Sequence, residues 1–256
     1  MLIRLQIVCV LALLIPDVSQ AEGLYLKTAD KLTIAADWHP PVVDGKAVKM
    51  KGVIVALHMF RSDRKAWGPM LAPAANRGLG MLVLDLRGHG ESSKQGREDL
   101  AKRAVARDAT LFNAMHQDVA AAVKWLADKK KVAASDIVLF GASVGCSVAL
   151  DYGARNPDIR AAVLLTPGKK YLGVDSMKHI LGWTGRPVLM VSSEEEADNG
   201  AIPLYKASLA PRRVVVMQLP QKKIHGTRMF SKVKRIEERL IEWAVARLAE
   251  TPVRAR

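Results

Sequence analysis

The sequence predicts an α/β fold, a mostly parallel central sheet of about eight strands with helices on both faces. Three observations carry this. Eight short β-rich runs punctuate the 256 residues, at 24–28, 32–38, 53–58, 81–85, 137–140, 161–166, 188–192 and 214–219. Several of them are continuous apolar runs rather than alternating ones, which is how strands covered on both faces read. Helical stretches stand between the later runs, and strand–helix alternation is how parallel neighbours are connected.

The helices follow from spacing. Residues 116–127 place Val119, Ala122, Val123 and Leu126 on one face at helical intervals. Residues 144–154 are rich in small side chains, and Ile236, Leu240, Trp243, Ala244 and Leu248 form an apolar stripe along the last helix. No repeat and no Pro/Gly/Ser-rich linker interrupts residues 23–249, so residues 22–256 read as one domain with a frayed tail from residue 251. Between the runs at 161–166 and 188–192 lie about twenty residues, 168–187, too few for a large cap domain. One short helix near 175–181 has room to lean over that end of the sheet.

Residues 1–21 read as a secretory signal peptide. Arg4 supplies the positive start, residues 7–15 are unbroken apolar, and Ser19 and Ala21 are the small residues before a cut ahead of Glu22. The apolar run falls short of the ~20 residues that span a bilayer, so no stable membrane span is expected after cleavage. Cys9 leaves with the signal and Cys146 remains alone, so the mature chain forms no internal disulfide. The expected location is periplasmic or secreted. Lys and Arg number 39 against 25 Asp and Glu, a net charge of +14. Aromatics are only 5% of the chain and do not interleave with a dense basic block, so the charge reads as a solvated surface and no nucleic-acid partner is expected. His39, His116 and His179 have no metal-ligand spacing with one another or with a cysteine, so neither a metal nor another cofactor is expected.

One turn carries the chemistry. The run at 137–140 leads directly into Gly141-Ala142-Ser143-Val144-Gly145 and then a helix. This is G-x-S-x-G in the strand–turn–helix setting that exposes a serine at the tip of a tight turn. The helix dipole beneath Ser143 favours the negative charge that develops in acyl transfer. His58-Met59-Phe60-Arg61 closes an earlier strand, where an N–H of Phe60 could join that of Val144 as oxyanion donors. Asp85-Leu86-Arg87-Gly88-His89-Gly90-Glu91-Ser92 follows the next strand, the acidic run Glu194-Glu195-Glu196-Ala197-Asp198 follows the run at 188–192, and His225-Gly226 precedes the last helix. His58 and His89 read as backbone-bonding loop histidines, Asp85 and Arg87 as loop braces, and Cys146 as a small packing residue.

At these residues the sequence resembles the α/β-hydrolase superfamily, nearest to its small lidless esterases, the dienelactone-hydrolase-like group. D-x-R-G-x-G-x-S at Asp85 to Ser92 and G-x-S-x-G at Gly141 to Gly145 carry the resemblance, which covers nearly the whole chain after the signal. It implies Ser143 as nucleophile, His225 as base and an acid after the run at 188–192. Two acids compete. Glu196 lies at the usual distance beyond Pro187, while Asp198 is the commoner residue type and has Asn199-Gly200 behind it to turn the chain; the reading leans to Asp198. Two departures stand out. Met59 replaces the glycine that usually follows the histidine of the oxyanion loop, and Ser143 stands where dienelactone hydrolases proper carry cysteine.

The implied reaction is ester hydrolysis of a small-molecule substrate through an acyl-enzyme, with Ser143 attacking, His225 moving the proton and two backbone N–H groups holding the oxyanion. A peptidase or amidase of the same fold and a catalytically idle hydrolase fold that binds at the cell envelope are the rival readings. Phe60, Trp67, Tyr171 and Trp183 are the expected walls of the pocket.

Overall fold

In the computed structural model, which describes residues 21–251, eight strands form one sheet. In chain order they are β1 (Glu22–Lys27), β2 (Thr33–His39), β3 (Gly52–Leu57), β4 (Leu79–Leu84), β5 (Ile137–Ala142), β6 (Ala161–Leu165), β7 (Val188–Ser193) and β8 (Val214–Leu219). Their order across the sheet is β1-β2-β4-β3-β5-β6-β7-β8. Only β2 runs antiparallel to its neighbours; from β4 to β8 every pair is parallel. The expected signal segment, except Ala21, and the tail from residue 252 lie outside the described residues.

The burial patterns explain why these runs are strands. Every residue of β3, β4, β5, β6 and β7 is buried, so both faces must be apolar and no alternation survives. The edge strands β1 and β8 are covered unevenly and keep polar residues. Successive residues of a central strand enter opposite cores. Val53, Val55 and Leu57 join Leu139, Val119, Ala122 and Val148 on one face. Ile54 and Ala56 join Phe140, Met70, Leu240 and Ala244 on the other. The helices follow suit: α2 (His116–Trp125), α3 (Val144–Arg155) and α4 (Ala201–Ala207) cover the first face, while α1 (Gly68–Asn76) and α5 (Ile236–Leu248) cover the second. Helix α1 was not anticipated, because its Pro69 and Pro73 argue against a helix; Pro69 sits in the first turn, where a missing N–H costs nothing.

A parallel sheet gathers the carboxyl ends of its strands along one edge, where loops present side chains to a common space. Residues 168–187 fold into a small hairpin, Lys170–Tyr171 against Val174–Asp175, then a turn of helix at Ser176–His179. No helix among the described residues is long and apolar enough to cross a membrane.

Candidate active site

Ser143 stands between β5 and α3 with φ 53° and ψ −115°, a backbone state that costs a non-glycine residue ~1–3 kcal/mol. The surroundings hold it there: its N–H donates to the Leu165 carbonyl at 2.9 Å and its carbonyl accepts from Cys146 N–H at 2.9 Å. The flanking glycines are required by contact. A Cβ at Gly145 would stand 2.3 Å from the Leu57 carbonyl oxygen, and one at Gly141 would stand 2.4 Å from that of Gly145. The turn is thus wedged between the ends of β3 and α3, and it holds Ser143 at the carboxyl edge of the sheet, buried but for 7% of its surface.

Three loops converge on it. The loop after β8 brings His225, whose Nδ1 lies 2.7 Å from Glu196 Oε1. Both side chains keep just under a third of their surface exposed, so a substrate can reach the imidazole. Glu196 belongs to a single helical turn, Glu194–Ala197, that begins immediately after β7. That turn swings Glu196 toward His225. Asp198, the acid favoured from the sequence, caps the end of the same turn and is exposed; among the described residues it makes no side-chain hydrogen bond or ion pair. The carboxylate that meets the histidine is therefore Glu196. No hydrogen bond joins Ser143 Oγ to His225 among the described residues, a bond that commonly tightens only around substrate.

The third loop follows β3. His58 is fully buried and its ring is held twice: Nδ1 lies 2.7 Å from the Met59 carbonyl, and Leu86 N–H donates to Nε2 at 3.0 Å. Burial pushes its pKa down to about 3, so the ring is neutral. Met59 sits in ordinary backbone, and the positive φ of this loop falls instead on Arg61, at 57°. The Met59 side chain packs toward Gly226, beside His225. Phe60 stays half-buried behind it, edge-on to His89 and Phe112. Val144 opens α3, so its N–H belongs to the first turn that finds no acceptor within the helix. The Phe60 N–H likewise finds none among the described residues.

The loop after β4 is a brace. Asp85, fully buried, accepts from the N–H groups of Arg64 and Glu91 at 2.8 Å each and meets the Arg64 guanidinium as well. Arg87 pairs with Asp118 and Asp30 at 2.7 and 2.6 Å. Asp85 and Arg87 thus tie the β4 loop to different partners rather than to each other. Cys146 is buried, donates to the carbonyls of Gly141 and Leu165, and its thiol pKa is pushed well up by burial, which leaves it unreactive.

Of the expected pocket walls, Trp67 and Trp183 belong to the core instead. Trp67 is fully buried against Phe140 and Phe230, and Trp183 donates to the Leu150 carbonyl beneath the Arg186 guanidinium. Tyr171 does reach the site, edge-to-face with His225 at 6.2 Å. Thr166, not anticipated, holds φ 56° at the end of β6, and its hydroxyl accepts from the Gly226 N–H at 3.0 Å, pinning the loop that carries His225. No group of three or more His, Cys, Asp or Glu among the described residues is arranged to hold a metal ion.

The comparisons with known proteins follow the same lines. The family model described as serine aminopeptidase, S33, a hydrolase family, matches residues 48–202. No curated protein matches the chain significantly. Solved structures share the fold at low identity. The esterase domain of a Rhodothermus marinus protein superposes with a TM-score of 0.64 at 17% identity, covering 89% of this chain and 99% of that one. A Pyrococcus furiosus esterase gives 0.66 at 16%, covering 91% and 92%. A dienelactone hydrolase from Anabaena variabilis gives 0.62 at 16%, covering 89% and 95%.

Proposed function

The chain belongs to this family of α/β hydrolases, and from that premise we propose that it is a serine carboxylesterase acting on small-molecule esters through a Ser143–His225–Glu196 triad. The observation that carries the reading is the 2.7 Å contact between His225 Nδ1 and Glu196, together with the strained backbone of Ser143 at the strand-to-helix turn. A carboxylate on Nδ1 fixes the tautomer that leaves Nε2 a lone pair, and it stabilises the imidazolium formed when the serine proton arrives. His225 Nε2 takes the Ser143 proton as Oγ attacks the ester carbonyl. The Phe60 and Val144 N–H groups receive the oxyanion, and His225 then protonates the leaving alcohol. Water deprotonated by the same histidine releases the acid. No step needs a metal or an organic cofactor.

The family description names an aminopeptidase, which makes amide cleavage the second reading. The loops around this site expose Arg61, Lys169, Lys170, Lys222 and Lys223 together with Glu194, Glu195 and Asp198, a mixed surface that does not choose between a neutral ester and the α-ammonium of an aminopeptidase substrate. The esterases among the similar structures support the ester reading. Export to the periplasm or medium, with cleavage before Glu22, is part of the proposal. The test is hydrolysis of p-nitrophenyl acetate and butyrate, beside an aminoacyl p-nitroanilide, by the wild type and by Ser143→Ala. Ester turnover that falls by several decades in the variant, with anilide turnover negligible, is the expected result. Equal ester turnover in both proteins removes Ser143 from the nucleophile role.

A further inference from the structure

Ser143 follows β5 and His225 follows β8, so two strands stand between the proposed nucleophile and its base. The end of β6 reaches both. The carbonyl of Leu165, its last residue, accepts the Ser143 N–H at 2.9 Å. The hydroxyl of Thr166, the next residue, accepts the N–H of Gly226, the neighbour of His225, at 3.0 Å. Two consecutive residues thus hold the turn that carries the serine and the turn that carries the histidine. Glu196 meets the imidazole itself, through Nδ1, rather than the backbone of that turn.

Thr166 is strained into this place. It is buried and holds φ 56°, a left-handed state that β-branched residues rarely adopt. Glycine takes such a backbone freely but brings no hydroxyl. The Thr166 N–H donates to the Val191 carbonyl at 2.6 Å, which ties the kinked residue to β7 as well. Gly226 is confined from the other side. A Cβ there would stand 3.1 Å from Met59 Sδ and 3.5 Å from the Cβ of Ala142, the residue before Ser143. The histidine turn therefore lies against the serine turn, and the N–H that Thr166 accepts is buried.

Resting on the serine-hydrolase reading, we propose that the end of β6 is a gauge for the separation of Ser143 and His225, and that Thr166 is a positioning residue for the base. Its hydroxyl fixes where the His225 backbone sits, while Glu196 fixes how the ring is turned. Thr166 touches no substrate and moves no proton. A displaced base slows every step in which His225 carries a proton, formation of the acyl-enzyme and its hydrolysis alike. When both rates fall by one factor, kcat falls by that factor. KM depends on the ratio of the two rates and stays where it was.

The test separates the hydroxyl from the shape that surrounds it. Thr166→Ser keeps the hydroxyl and drops the methyl, Thr166→Val keeps the β-branch and drops the hydroxyl, and Thr166→Ala drops both. Hydrolysis of p-nitrophenyl butyrate is measured at a temperature where circular dichroism shows each protein folded. The expected result is a kcat about ten- to a hundredfold lower in Thr166→Val and Thr166→Ala, with KM within about twofold, and a kcat within about threefold of wild type in Thr166→Ser. Should valine not be tolerated, the serine and alanine variants, which differ by the hydroxyl alone, carry the comparison. A residue that merely fills space gives the reverse order, with valine the better replacement. That order, equal rates in the serine and alanine variants, or a loss confined to KM overturns the proposal while leaving Ser143 as nucleophile. A parallel assay of Ser143→Ala reads the other premise: turnover equal to wild type there overturns the serine reading and this proposal with it.

Discussion

His58 and His225 end up in the same tautomer for opposite ends. In both, Nδ1 faces an oxygen that only accepts, the Met59 carbonyl for one and the Glu196 carboxylate for the other, so in the neutral ring Nδ1 carries the proton. The difference lies at Nε2. His58 spends its lone pair on the Leu86 N–H, in a fully buried pocket that holds the ring neutral. His225 is partly exposed and its Nε2 has no partner among the described residues. Two imidazoles on loops of the same sheet edge thus become a rivet and a candidate base. A histidine's role is set by what occupies its second nitrogen and by the charge facing its first, not by its place at a strand end.

The sharpest way to break this comparison is to remove each ring. His225→Ala is expected to lower kcat/KM for p-nitrophenyl butyrate by about four decades or more, as loss of a triad base does, while thermal stability stays within about 2 °C of wild type. Glu196→Gln keeps the shape but presents an amide to Nδ1, and the expected loss is about three to four decades in kcat. Asp198→Asn, two residues on, is expected to stay within about twofold, since nothing in the site touches it. Parallel rate measurements on the three variants decide the matter, and comparable losses at Glu196 and Asp198 would put the wrong acid in the site.

How much of this was legible beforehand depends on how local the cause is. The five central strands were readable because burial on both faces writes itself as unbroken apolar runs, and Ser143 because strand, G-x-S-x-G and helix follow one another directly in the chain, even though the contact that demands glycine at 145 is with distant Leu57. The choice between Glu196 and Asp198 was not, because counting along an extended loop and counting around a helical turn bring different residues to the same point. The signal was present: Ser193-Glu194-Glu195-Glu196 has the S-x-x-E form that opens helices, and a helix opening at Ser193 points Glu196 back toward the sheet edge. Trp67 and Trp183 were misjudged as pocket walls for a related reason. A tryptophan in a loop-rich stretch reads the same whether it turns outward to a cleft or inward to Phe140 or Leu150. Thr166 and its bond to Gly226 span 60 residues and left no local trace.

Removing the rivet should tell a different story from removing the base. His58→Leu keeps an apolar side chain in the space but strands the Leu86 N–H and the Met59 carbonyl in a dry interior. Each abandoned group costs ~1–3 kcal/mol, so thermal unfolding is expected to begin roughly 5 °C or more below wild type. At 15 °C, where the variant remains folded, its esterase rate is expected to fall by less than that of His225→Ala, because His58 acts on catalysis only through the position of the Met59–Phe60 backbone. A rate loss matching His225→Ala, with unchanged stability, would reverse the roles of the two rings.

The smallest expected effect is the most specific, and it lies in pH. The ordinary pKa of a histidine is 6.5, whereas folded His58 sits near 3, mainly through burial and secondarily through His89, whose ring lies 5.0 Å away. A folded pKa below the unfolded one means that the unfolded chain binds a proton the folded chain refuses. The neutral ring therefore contributes its full stability above about pH 6.5, and that contribution drains away as pH falls toward 3. Carboxylates elsewhere weaken in acid too, so the informative quantity is the difference in unfolding free energy between wild type and His58→Leu in urea. That difference is expected to be greatest at pH 7 and to shrink steadily at pH 6, 5 and 4. A gap for His58→Leu that stays flat across this range would mean that the ring titrates almost as freely folded as unfolded, and the contrast between rivet and base would then have to rest on the hydrogen bonds alone.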